Sequence, residues 1–165
     1  MAEKNFTRLG AIAFSLAAGV IVVDQIVKAW FLALKLMEGE SLPLAGPFHL
    51  TMVWNRGVSF GLLRADHDLV RWALVAFSLI VAVALGWWAR NATRPLMGLG
   101  LGLVMGGAIG NAIDRFRFGA VVDFVDVTRL MFPWVFNVAD SAICVGVACL
   151  LLDSIRKEPA PNSAP

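Results

Sequence analysis

The sequence predicts a mainly α-helical integral membrane protein with four transmembrane helices. Three observations lead there. Four apolar segments are each long enough to cross a bilayer, which takes about 20 residues. Hydrophobic residues make up 59% of the 165-residue chain and charged residues 16%, against about 25% charged in an ordinary soluble domain. The mean hydropathy of +0.75 describes more apolar surface than one compact aqueous core could hide. The length suits one domain. A formal charge of +2 with no basic run of five residues speaks against a nucleic-acid partner.

The first predicted span covers about Gly10 to Leu34. Lys4 and Arg8 before an apolar run to Val23 resemble the start of a cleaved signal peptide. The run continues past Asp24-Gln25 into Ile26-Val27-Lys28-Ala29-Trp30-Phe31-Leu32, and no Ala-x-Ala site follows, so the segment reads as a retained span. Next comes Lys35–Asp68, interrupted by Pro43 and Pro47. Its pieces Phe48–Trp54 and Gly57–Gly61 favour short strands or loops over helix. The second span, Leu69 to Ala89, joins the third, Pro95 to Ile113, through the polar hairpin Arg90–Arg94. Proline is well placed at a first helical position, where its missing N–H costs nothing. A connection from Asp114 to Phe136 leads to the fourth span, Asn137 to about Ile155. Residues 1–155 thus form one four-span domain. The rest, 156–165, is expected to be a disordered tail, Pro, Ser and Ala rich from Pro159.

Four spans place both termini and the Arg90–Arg94 hairpin on one side. Six basic residues fall on that side and seven on the other, so the charge count alone leaves the orientation open. Lys4, Arg8, Arg90 and Arg94 crowd short segments beside span ends, which favours termini inside. Within the third span, Gly98, Gly102, Gly106 and Gly110 recur every four residues and so form one stripe, expected to let another helix approach closely. Cys144 and Cys149 are five apart, on different helix faces, and read as packing residues rather than a redox pair.

The chemistry points to carboxylates. Asp123 and Asp140 lie at the edges of apolar segments, where a charge costs free energy wherever lipid replaces water. Asn111 and Asp114 share a helix face, and Asp24 and Lys28, four apart, can pair. Gly57-Val58-Ser59-Phe60-Gly61 matches the G-x-S-x-G pattern, but no α/β alternation surrounds it and the only later histidine is His67. No zinc motif or phosphate loop is present. Two aspartates about 3 Å apart cannot both ionise, so one serves as base and the other as acid. That is the chemistry of peptide hydrolysis by activated water.

Five blocks then resemble a known family in the same order. They are Asp24–Lys28, Asn55–Gly61, Gly106–Arg115, Gly119–Phe124 and Phe136–Asp140. Together they look like the signature blocks of lipoprotein signal peptidase, or signal peptidase II, across residues 10–155. Arg56 and Val58 stand where the family more often carries small residues. The resemblance implies an aspartyl endopeptidase of the bacterial inner membrane. It would cut prolipoprotein signal peptides before a diacylglyceryl-modified cysteine.

By the same resemblance, Asp123 and Asp140 match the catalytic pair. Asp24, Lys28, Asn55, Gly57, Asn111, Asp114, Arg115, Asn137 and Ala139 match positions that bind substrate or support the site. The implied fold adds a small β-cradle and a short periplasmic helix, both supplied by Lys35–Asp68, and puts the aspartates at the extracytoplasmic boundary. Implied partners are lipidated prolipoproteins, membrane lipids and cyclic peptide inhibitors such as globomycin, with no metal or organic cofactor. The Lys35–Asp68 segment is further expected to close over the aspartates as a mobile cover, with Asn55 bonding substrate backbone. Two alternatives stand beside the peptidase: a small proton- or cation-coupled transporter, and a structural subunit whose aspartates merely pair with Arg115 or Arg117.

Overall fold

A computed structural model describes residues 6–57 and 68–155. Its elements run α1 (Arg8–Ala33), β1 (Ser41–Ala45), β2 (Phe48–Asn55), α2 (Asp68–Ala89), α3 (Pro95–Phe118), β3 (Val121–Asp126), β4 (Val135–Phe136) and α4 (Val138–Ile155). A 3-10 turn, Thr128–Leu130, separates β3 from β4. All four helices are long and apolar enough to span a bilayer.

The third helix is the axis of the bundle. It has the lowest mean hydropathy of the four, 1.7, yet 67% of its apolar window is buried, against 17–22% in the others. A helix wrapped by its neighbours need not match lipid. The outer helices do: Ile26, Ile80, Val83 and Leu151 are more than half exposed, on faces that only hydrocarbon would tolerate.

Close approach explains the glycine stripe. A Cβ added at Gly102 would lie 2.6 Å from the Ala13 carbonyl oxygen, and at Gly106 2.8 Å from that of Ala17. Gly98 faces Leu9 and Gly110 faces the Asp24 carboxylate, so the whole row packs on α1. A second row escaped the sequence reading. Gly100 meets Gly146, and Gly107 meets the Ala139 carbonyl, so α4 packs as tightly on another face. Gly102→Ala and Gly106→Ala should each destabilise by about 1–3 kcal/mol, the usual cost of overpacking. Gly19→Ala, with nothing within 4 Å of the new carbon, should instead gain up to about 1 kcal/mol of helix propensity. Thermal unfolding in detergent reads both, and a Gly102→Ala protein as stable as its parent would refute the close-approach account.

One end of the bundle is tied by the hairpin. The Thr7 side chain caps α1 by accepting from the Gly10 N–H at 2.9 Å, and its hydroxyl donates to the Ala92 carbonyl at 2.8 Å. Arg94 pairs with the buried Asp153 at 2.8 Å, fixing the end of α4 to the start of α3.

The other end carries an antiparallel sheet in the order β1-β2-β3-β4. Phe31 of α1 seats it, buried with Leu50, Met52, Val122 and Phe124, its ring centroid 4.9 Å from that of Phe124. Here the structure corrects the expectation that Lys35–Asp68 supplies the whole cradle. Half of the sheet comes from the connection between α3 and α4, because the β-branched run around Asp123 pairs with β2 in the register Val53↔Asp123. The helical turn described outside the spans also belongs to that connection. Most of Gly57–Gly61, including Ser59, the remainder of the expected cover, and the 156–165 tail lie outside the described residues.

The third helix also runs five residues beyond the predicted Ile113. Asp114 there is fully buried and Arg115 partly so, so the helix need not stop where hydropathy falls. Arg115 and Arg117 favour its last turn, and Gly119 (φ 81°) closes it in the left-handed conformation.

Candidate active site

Asp123 and Asp140 arrive from different elements and meet on one asparagine. Asp123 projects from β3, while Asp140 sits in the first turn of α4. Between them, Asn137 caps α4. Its side-chain oxygen accepts from the Asp140 N–H at 2.9 Å, and its own N–H donates to the Asp140 carboxylate at 3.3 Å. This reciprocal arrangement is a capping box built from Asn and Asp. The same Asn137 amide donates to Asp123 at 2.6 Å. One fully buried residue therefore holds both carboxylates, Asp123 through its side-chain amide and Asp140 through its backbone N–H.

Each carboxylate has a second amide. Asn55, at the end of β2, donates to Asp123 at 3.0 Å, and its oxygen accepts from the Gly57 N–H at 3.1 Å. Asn55, the residue expected to bond substrate backbone, thus also holds Asp123. Asn111 of α3 donates to Asp140 at 2.7 Å. Neither aspartate has an ion pair among the described residues, which removes the structural alternative of an Arg115 or Arg117 partner. Arg115 instead donates to the Gly57 carbonyl at 3.0 Å, and Arg117 to Gln25 at 3.3 Å.

Beneath the pair lies a buried ionic cluster. The Lys28 ammonium contacts Asp24 and Asp114, each at 2.8 Å, and donates to the Asn111 oxygen at 3.2 Å. Asp24 and Asp114 are fully buried and Lys28 nearly so. Both carboxylates also brace backbone: the other oxygen of Asp24 accepts from the Ala139 N–H at 2.9 Å, and the Lys28-bound oxygen of Asp114 accepts from the Val122 N–H at 3.1 Å. Those two residues immediately precede Asp140 and Asp123. The cluster thus fixes both carboxylate-bearing segments from below.

The sequence reading missed two residues. The Gln25 amide donates to Asp114 at 3.0 Å and Asp24 at 3.2 Å. Its signal was available, since it lies between Asp24 and Lys28 on the same helix end. Arg71 donates to the carbonyls of Arg115 at 2.8 Å and Phe116 at 2.7 Å, capping α3. No sequence pattern announces a partner that is backbone more than forty residues away.

Electrostatics separate Asp123 from an ordinary carboxylate. Burial, and then the negative charge of Asp140, push its pKa up to about 7, against the hydrogen bonds from Asn55 and Asn137 and the Lys28 charge. A carboxyl that still holds a proton near neutrality can donate it, and its partner can accept one.

Comparison with known proteins points to one family. The family model described as signal peptidase (SPase) II matches residues 16–156. A lipoprotein signal peptidase of Caulobacter vibrioides is 58% identical over 160 residues, covering 96% of this chain and 95% of that protein. One from Methylobacterium radiotolerans is 46% identical, over 87% and 85% of the two chains. A solved bacterial membrane enzyme superposes with a TM-score of 0.76 at 25% identity, covering 96% of this chain and 99% of the other.

Proposed function

The chain belongs to the signal peptidase II family, and from that premise we propose that it is an aspartyl endopeptidase working through Asp123 and Asp140. It removes the signal peptide from prolipoproteins, cutting before a diacylglyceryl-modified cysteine. The observation that carries this reading is the pair of carboxylates gathered on Asn137 at the sheet end of a membrane-spanning bundle. One proton is shared by the pair. The ionised member takes a proton from water, which attacks the scissile carbonyl; the protonated member polarises that carbonyl and then protonates the leaving amine. The titration belongs to the pair, not to either residue alone.

Position suits the substrate. A lipidated cysteine keeps its acyl chains in the bilayer, so its peptide bond can reach only groups at the boundary. In this reading both termini are cytoplasmic and the pair faces the extracytoplasmic side of the bacterial inner membrane. Cyclic peptides of the globomycin type would compete there. The transporter alternative has no support, since the carboxylates lie at the end of the bundle and the matched family is a peptidase. Purified protein should cleave a lipidated prolipoprotein and spare its unlipidated form; equal cleavage of both would overturn the substrate assignment.

The pH profile follows from Asp123. As pH rises through about 7, Asp123 loses the shared proton, the pair becomes doubly negative and no acid remains for the leaving amine. kcat/KM should therefore fall on the alkaline side with a midpoint near 7. A rate still rising through pH 9 would exclude Asp123 as the proton holder.

A further inference from the structure

A polar cavity lies outside the aspartate pair, where the end of β2, the start of α2 and the end of α3 converge. It has a volume of about 290 Å³ and is lined by Trp54, Arg56, Asp68, Arg71, Phe118 and Gly119, among others. Strand alternation turns Trp54 to the face opposite Asn55, away from Asp123, and Arg56 follows directly on the end of the strand.

Two guanidiniums face this space differently. Arg71 is held in place, its Nε and one Nη bonded to the carbonyls of Arg115 and Phe116. Its other Nη is directed past Gly119, 3.7 Å from where a Cβ on that residue would lie. The nearest acid to that nitrogen is Asp68, at 3.9 Å and 87% exposed, so it sits on the water side of the rim. Arg56 has no hydrogen-bond or ionic partner among the described residues, yet it lines the cavity. One anchored and one unpaired guanidinium over a small cavity match an anion with two acceptor oxygens, which a guanidinium fork engages in parallel.

The surroundings identify the anion's carrier. The Trp54 and Phe118 rings lie 5.7 Å apart, and Trp72 and Phe116 meet edge to face at 5.8 Å. Arg71 stacks over Trp72 at 5.0 Å. Trp72, Phe116 and Phe118 are each more than 40% exposed. Exposed aromatic rings interleaved with arginine at helix ends are the mark of headgroup depth. An anion reaching this cavity is therefore presented by lipid.

We propose that Arg56 and Arg71 form a binding site for the phosphodiester of an anionic phospholipid, separate from the peptidase site. The lipidated substrate is not the ligand, because its diacylglyceryl group carries no phosphate. A bound headgroup pins the start of α2 to the end of α3 at the level of the aspartate pair.

The full chain in mixed micelles, examined by native mass spectrometry, tests this with three probes: phosphatidylglycerol, diacylglycerol of the same chains, and glycerol phosphate. Wild type should bind phosphatidylglycerol about tenfold or more tighter than diacylglycerol, the loss expected when a charge-assisted contact is absent. Arg56→Gln, on an exposed side chain that the fold does not use, should erase most of that preference. Arg56→Lys should keep part of it, and Arg90→Gln at the hairpin end should keep all of it. Unchanged phosphatidylglycerol binding in Arg56→Gln would overturn the site. Glycerol phosphate binding as tightly as the lipid would overturn its assignment to a membrane lipid.

Discussion

Asp123→Asn and Asp140→Asn should each abolish prolipoprotein cleavage while the protein still inserts and purifies as one species. Loss of acid–base catalysis alone removes about 10²–10⁴-fold in rate. An amide of nearly the same shape neither takes a proton from water nor supplies one to an amine. The double variant should be no slower than the worse single one, since two groups sharing a proton act as a unit. Turnover in membranes with lipidated substrate checks each variant, with size-exclusion profiles as the folding control. Near-normal turnover by either would show that the catalytic groups lie elsewhere. Multiplying losses in the double variant would mean that the two act independently.

Hydropathy made the bundle legible because lipid allows few alternatives: helices of about 20 residues satisfy their own backbone. Its limit shows at α3, where the apolar window ends at Ile113 but the helix continues to Phe118. Asn111 and Asp114 lower the hydropathy, yet both are buried against other elements. The glycine stripe was visible as a period of four, whereas the second row, Gly100 and Gly107, is seven apart and passed unnoticed. The sheet was half legible. Phe48–Trp54 announced β2, but pairing of β2 with β3 joins residues some seventy positions apart, and only the folded bundle brings them together. For the site, residue type and helical spacing showed that Asp24 could pair with Lys28. They could not show that Asp114 completes the cluster, nor that Asn137 holds both carboxylates, because those contacts cross between elements.

Lys28→Met should be the most destabilising single change in the site, about 3–5 kcal/mol, because it strands Asp24 and Asp114 in the interior without a counter-charge. Stability is only half of its role. An asparagine amide can turn over and exchange its oxygen and nitrogen, and Asn111 must present nitrogen to Asp140. The Lys28 ammonium, which can only donate, holds the Asn111 oxygen and so forces the nitrogen toward the carboxylate. Without it, the Asn137 amide, which also donates to that oxygen at 3.2 Å, is left to hold the orientation alone, and the oxygen turns more readily toward Asp140 and repels it. A second substitution separates the two effects. Lys28→Met combined with Asp24→Asn removes one stranded charge, and the asparagine oxygen can still accept from the Ala139 N–H. The pair of changes should recover part of the thermal stability lost in Lys28→Met, while kcat stays low and KM changes little. Recovery of stability and turnover together would reduce Lys28 to a counter-ion. Recovery of stability alone places it in the orientation of the Asp140 carboxylate.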